Sequence, residues 1–247
     1  MSPSTYGHTA HYVYLEAALR ERWTTFVALE TEMAAFVPKP ISAYDRLRDD
    51  EVTRLAKLNP HKPIEEFVEF VQKQIEFKAS PQWQFREQFD DRHMAEYAAV
   101  VMLSHALCES LINAVLAIGL AQAKCAELFT LLERADFKQK WLIGPKSLSP
   151  DYNFPRGSGL HETLLQINRQ RNALVHHKIE LEVDGKKVLE GSGFERSTYA
   201  GEQMWLRRYF SLPYDLADFL RKALPSAHIM ILFGSGPIER AAAHSAA

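Results

Sequence analysis

Apolar side chains recur at helical spacing along most of the chain. From about His11 to Phe36 the pattern carries Tyr14, Leu15, Leu19, Trp23, Phe26, Leu29 and Phe36, which predicts an amphipathic first helix. Pro38-Lys39-Pro40 ends it, because proline cannot continue the hydrogen-bond ladder. A short helix is expected near Tyr44 to Leu58, and another from Ile64 to Lys78 with Phe67, Phe70, Val71 and Ile75. Ser80-Pro81 is taken as a break before a long central helix over roughly Asp90 to Gln122, and a further helix is expected from Cys125 to Leu142. Gly144 to Gly159 is rich in proline, glycine and serine, long enough to be a functional loop. A helix from about Ser158 to Lys178 follows. Then Ile179 to Val183, Asp184-Gly185 and Lys187 to Leu189 form a small β-hairpin pattern. Two short helices, Glu202 to Phe210 and Tyr214 to Leu224, precede a short apolar run at His228 to Phe233 and a tail from Gly236.

This is an all-α pattern with a small hairpin. Residues 1–85 form an added helical layer, 86–235 the core domain and 236–247 a flexible tail. The length, 247 residues with 47% hydrophobic, suffices for one large domain or a domain with such a layer. The central stretch bears on localisation. From Tyr97 to Ala123 the sole charged residue is Glu109, and the 27 residues are long enough to span a bilayer. His105, Glu109 and Asn113 recur every fourth residue and make one polar stripe. In lipid the carboxylate alone would cost about 2–3 kcal/mol. A buried bundle helix fits better, and the expectation is a cytoplasmic protein with no membrane partner. Cys108 and Cys125 lie in apolar sequence and are expected as reduced core thiols, not a disulfide or zinc site.

The net charge of −2 supplies no global field for nucleic acid, so any RNA contact must be local. The stretch from Leu160 to Lys178 is where local chemistry concentrates. At about 100° per residue, Leu160, Leu164, Ile167, Leu174 and Val175 share a face, with Arg171 in its middle. A guanidinium there is costly unless it is paired or lines a cleft. Asn168, Asn172 and His176, four apart, form a polar ladder on the flank. A helix C-terminus favours the protonated imidazole. Glu109, the lone acid of the central helix, is the natural partner for Arg171: a pair would either aim the guanidinium or simply neutralise it.

Arg171-Asn172-Ala173-Leu174-Val175-His176 resembles the motif of the HEPN superfamily: an arginine, a polar residue, and a histidine four to six positions on, late in a helical bundle. His177 also meets the looser spacing. Ser104 to Asn113 is similar to the long helix that precedes the motif, and Phe137-Lys138-Gln139-Lys140-Trp141-Leu142 with its proline-bearing loop fits the intervening region. The resemblance covers roughly Asp90 to Glu182. It implies a HEPN-like bundle and a metal-independent, cofactor-free endoribonuclease acting as a homodimer on RNA, in stress response, phage defence or as a toxin. An antitoxin or a nucleotidyltransferase is the implied protein partner. It assigns Arg171 to the phosphate, His176 to proton transfer and Asn172 to orientation, with His177, Asn168 and Glu109 in support.

The residues alone leave a second reading open, a non-catalytic helical protein that binds a partner or nucleotide through the same surface. Other features favour plain structural roles. His105 with Glu109 is half of a metal site with no second half, so a hydrogen-bonded core histidine is expected. His161 is expected in solvent. Arg169, Arg171, Lys178, Lys186, Lys187, Arg207 and Arg208 make either a local RNA patch or, more ordinarily, a solvated face. Trp205, Tyr209 and Phe210 suit core or a dimer surface better than base stacking. No phosphate-binding P-loop, dinucleotide glycine motif, nucleophile elbow or spaced Cys/His set is present.

Overall fold

The computed structural model describes residues 10–175, 181–183, 186–189 and 199–224, with side chains over 13–175 and 201–224. The fold is all-α. Among the described residues the helices are α1 (Ala10–Ala34), α2 (Asp45–Leu58), α3 (Ile64–Ala79), α4 (Pro81–Gln122), α5 (Phe129–Glu133), α6 (Phe137–Leu142), α7 (Gly159–Val175) and α8 (Tyr199–Ala223). Short 3-10 turns occupy Ile41–Tyr44, Ala126–Leu128 and Gly144–Ser147. Two short strands, Leu181–Val183 and Lys186–Leu189, pair antiparallel with an irregularity between Leu181 and Glu182. Residues 184–185, the His228–Phe233 run and the tail 236–247 lie outside the described residues.

Three expected boundaries differ, each for a local reason. The central helix starts at Pro81, not near Asp90. Proline is tolerated in a first turn, where its missing N–H has no intrahelical partner to lose. Ser80 supports this start, its Oγ accepting from the Trp83 N–H at 3.3 Å. The single helix expected over Cys125 to Leu142 is instead a 3-10 turn, α5 and α6. Asp136 interrupts it as an N-cap, accepting from the Lys138 N–H at 2.9 Å. Conversely, Pro213 lies inside α8 and does not split it in two. Leu212, Tyr214, Leu216 and Ala217 around it are buried, and that packing outweighs the lost backbone bond.

The described residues fall into two compact units, one drawn from residues up to 23 and from 97 onward, the other from 24–96. The divisions lie within α1 and α4, while residue 85, the sequence-based boundary, is inside the smaller unit. In that smaller unit α3 buries Phe67, Val71 and Ile75, one stripe at four-residue spacing, whereas α2 buries no side chain. Phe36, Phe85 and Phe89 meet edge-on or tilted at 5.0–5.6 Å between centroids. Gln84 ties the loop after α1, its Oε1 accepting from the Lys39 N–H at 2.8 Å and its Nε2 donating to the Lys39 carbonyl at 3.0 Å.

The larger unit holds the apolar stretch of α4. Val100, Val101, Leu107, Cys108, Leu111, Ile112, Val115, Leu116 and Leu120 are all buried. By length and composition α4 could cross a membrane, yet half of its most apolar window is already buried inside the protein. Cys108 is a buried free thiol, and burial pushes its ionisation well above the usual range. Cys125 is also free but only half-buried, because it sits after α4 and not within a helix. Trp23 stacks on Phe210 at 4.4 Å. The Gly144–Gly159 segment is pinned down and not a free loop: Tyr152 and Phe154 are buried, and the Tyr152 hydroxyl donates to the Trp141 carbonyl at 2.7 Å.

Candidate functional site

Three helices of the larger unit bring their polar residues together. On α4, His105 and Glu109 are four apart and share a face. On α6, Phe137, Lys140 and Trp141 are all buried. On α7, the buried face is Thr163, Leu164, Ile167 and Asn168. That helix then emerges toward solvent: Leu174 is half-buried, and Val175 is 46% exposed. Arg171 therefore sits where the buried stripe ends. It is half-buried, less deeply embedded than the apolar wheel position suggested, and it does not lie flat on the exterior.

The pairings are specific. His105 Nε2 lies 3.1 Å from Asn168 Oδ1, with both residues buried, and the imidazole stacks on Phe137 at 4.1 Å and 27°. With a carbonyl-type oxygen facing it, Nε2 is the donor. Glu109 Oε1 accepts from Lys140 Nζ at 2.8 Å. Arg171 Nη1 donates to the Oδ1 of its exposed neighbour Asn172 at 3.1 Å. The expected Glu109–Arg171 pair is thus replaced by Glu109–Lys140. The Lys140 side chain is 3% exposed and needs the carboxylate, whereas Arg171 reaches water and an amide.

Electrostatics follow from this layout. Burial pushes the His105 imidazole below its ordinary value, and the nearby charges of Arg171 and Lys140 act in the same direction. The hydrogen bond that the imidazole donates to Asn168 and the charge of Glu109 oppose them. His105 is accordingly a neutral, hydrogen-bonded core histidine, and no group of three or more potential metal ligands occurs among the described residues.

Of the expected site residues, Arg171 and Asn172 are joined directly, and Asn168 anchors the preceding turn. Glu109 lies in the same polar cluster but serves Lys140. His176 and His177 lie outside the described residues, as do Lys178 and residues 184–185. Sequence reasoning missed Lys140. Its signal was present, since Lys140 is three residues after Phe137 on a short helix and so shares the apolar face with it. His161 is half-buried at an exposed turn, its Nδ1 accepting from the Gly157 N–H at 3.2 Å. Tyr209 and Phe210 are core, while Trp205 is half-buried, stacked on Tyr209 with Arg208 5.0 Å above its ring. Arg208 also lies 3.7 Å from Glu162 of α7. No family model matches the chain, and no curated protein or solved structure matches it either.

Proposed function

We propose that the chain is a metal-independent endoribonuclease of HEPN type, cytoplasmic and active as a homodimer in stress response, phage defence or as a toxin. The observation that carries this reading is the state of Arg171. The residue is half-buried, its hydrogen-bond partner among the described residues is the neutral amide of Asn172, and the acid of the facing helix, Glu109, is held by Lys140. A half-buried cation with no carboxylate partner among the described residues has unused capacity for an anion, and a guanidinium fork matches phosphate. In the proposed reaction the 2′-hydroxyl of a ribose attacks the adjacent phosphorus while its proton passes to a base. The new O–P bond forms as the bond to the 5′-oxygen breaks, and that oxygen takes up a proton. The products are a 2′,3′-cyclic phosphate and a 5′-hydroxyl. Arg171 holds the phosphate oxygens as their charge grows, His176 (or His177) moves the proton, and Asn172 steers the guanidinium.

The test is RNA cleavage in the presence of a chelator, with the ends of the products identified. Arg171→Ala is expected to lower the rate about 10²–10³-fold, and loss of the working histidine about 10²–10⁴-fold. Unchanged cleavage in Arg171→Ala, and in both His176→Ala and His177→Ala, refutes the assignment. The competing reading is a non-catalytic helical protein that binds a partner through the same surface. It draws on the exposure of Asn172 and Val175, three residues apart on one face of α7 beside Arg171. It predicts no cleavage at all, and a stability loss when Arg171 is replaced.

A further inference from the structure

Asn168 and Arg171 are three residues apart on α7, so their side chains share a face one turn apart. Asn168 holds His105 through a buried hydrogen bond. The Arg171 side chain therefore starts one helical turn from the amide that holds the imidazole, and its charge acts on that ring. Among the described residues the groups around His105 are Glu109 on its own helix, Lys140 and Phe137 on α6, and Asn168 and Arg171 on α7. Lys140 is committed to Glu109 and is buried, which removes it as a contact for any incoming ligand. Arg171 is the cation of this set that solvent reaches.

We propose that an oxyanion of the phosphate or sulfate class binds Arg171, and that its binding is coupled to proton uptake by His105. The anion offsets the guanidinium charge that opposes protonation of the imidazole. Conversely, a protonated His105 adds a second positive charge behind the anion and tightens its hold. The coupling is reciprocal by thermodynamic necessity: whatever the anion does to proton affinity, the proton does to anion affinity. In the free protein Arg171, Lys140 and burial together keep His105 neutral, against Asn168 and Glu109. This inference rests on Arg171 as the phosphate contact proposed above, but it needs no turnover.

The test follows the histidine C–H resonances of the whole chain by NMR across pH, with His105 assigned from the peak lost in His105→Gln. Inorganic sulfate is the probe, because its charge does not titrate in this range, and chloride at equal ionic strength is the control. In the unliganded protein Arg171→Gln is expected to raise the His105 titration midpoint, whereas Arg171→Lys keeps it low. Sulfate is expected to raise the midpoint in the wild type and Arg171→Lys but not in Arg171→Gln, and to bind more tightly at lower pH. If Arg171→Gln leaves the midpoint unchanged, the coupling is wrong whatever the RNA assay gives. If Arg171→Gln raises it while sulfate leaves the wild type unmoved, the anion site is wrong. If sulfate raises it and no RNA is cut, the coupling stands and the nuclease reading falls.

Discussion

Removing the Glu109 carboxylate should expose how much the buried lysine depends on it. The Lys140 side chain is 3% exposed and that of Glu109 38%, with 2.8 Å between Nζ and Oε1. Breaking a fully buried pair costs about 3–5 kcal/mol, because one charge is left without compensation. A fully exposed pair is worth about 0–1 kcal/mol. Here one end reaches water and the other does not, so Glu109→Ala should cost about 1–3 kcal/mol, within the bounds those two limits set. Alanine suits the test, since it keeps the helical propensity of α4 high. Lys140→Met replaces the buried cation with an unbranched apolar chain of similar length and should change stability by less than about 1 kcal/mol. Once the cation is gone, Glu109→Ala should cost little more, so the double variant should resemble Lys140→Met. The assay is urea unfolding of all four proteins, followed by circular dichroism and tryptophan fluorescence. Coincident transitions would justify one free energy for each protein. The reasoning fails if Glu109→Ala lies within about 0.5 kcal/mol of the wild type, the usual range for an unremarkable surface change. It also fails if the double variant is as unstable as Glu109→Ala alone.

Two further outcomes test the packing and the titration of the larger unit. A Cβ at Gly119 would lie 2.5 Å from Leu148 Cδ1, while one at Gly159 would meet nothing within 4 Å. Inside a helix alanine gains about 1 kcal/mol over glycine, but at Gly119 it must push aside the half-buried Leu148 side chain, so Gly119→Ala should gain nothing and cost up to about 1 kcal/mol, whereas Gly159→Ala should stabilise by about 0.4–1 kcal/mol; equal melting temperatures for the two variants would contradict the packing. Burial pushes the Tyr97 phenol up to about 12, with the neighbouring Tyr209 hydroxyl opposing the rise and the charge of Glu202 adding to it. The folded state thus holds a proton that the unfolded chain releases near pH 10, so the Tyr97 contribution to stability should be constant below pH 10 and fall between pH 10 and about 12. Tyr97→Phe should shallow that fall, as read from denaturant midpoints, and an identical profile in both proteins would count against it.

What could be read from the chain alone was whatever a single helix decides. The burial of α4 was legible because its side chains are apolar nearly all round, and the long run from Tyr97 offers just one acid. The polar ladder of Asn168 and Asn172 was legible because four-residue spacing sets a face. Prolines misled in both directions: Pro81 opens a helix whose first turn needs no N–H there, and Pro213 is carried by buried neighbours. The partner of Glu109 was not legible, for a more general reason. Spacing says which residues of one helix point together, but it does not say which face of another helix arrives opposite them. Lys140 and Arg171 were both cations on otherwise apolar faces, and the choice between them depends on burial that only tertiary packing determines. Lys140 is sealed in and would leave an uncompensated charge without the acid, so it takes Glu109. Arg171 sits where α7 leaves the core and can turn to Asn172 and to solvent. A cation among leucines is therefore weak evidence of function by itself. It becomes informative when the acid of the facing helix is engaged elsewhere, because that acid then leaves the charge open to a ligand. The reason to assay Arg171 as an anion contact is the prior claim of Lys140 on the acid, more than the spacing of the motif.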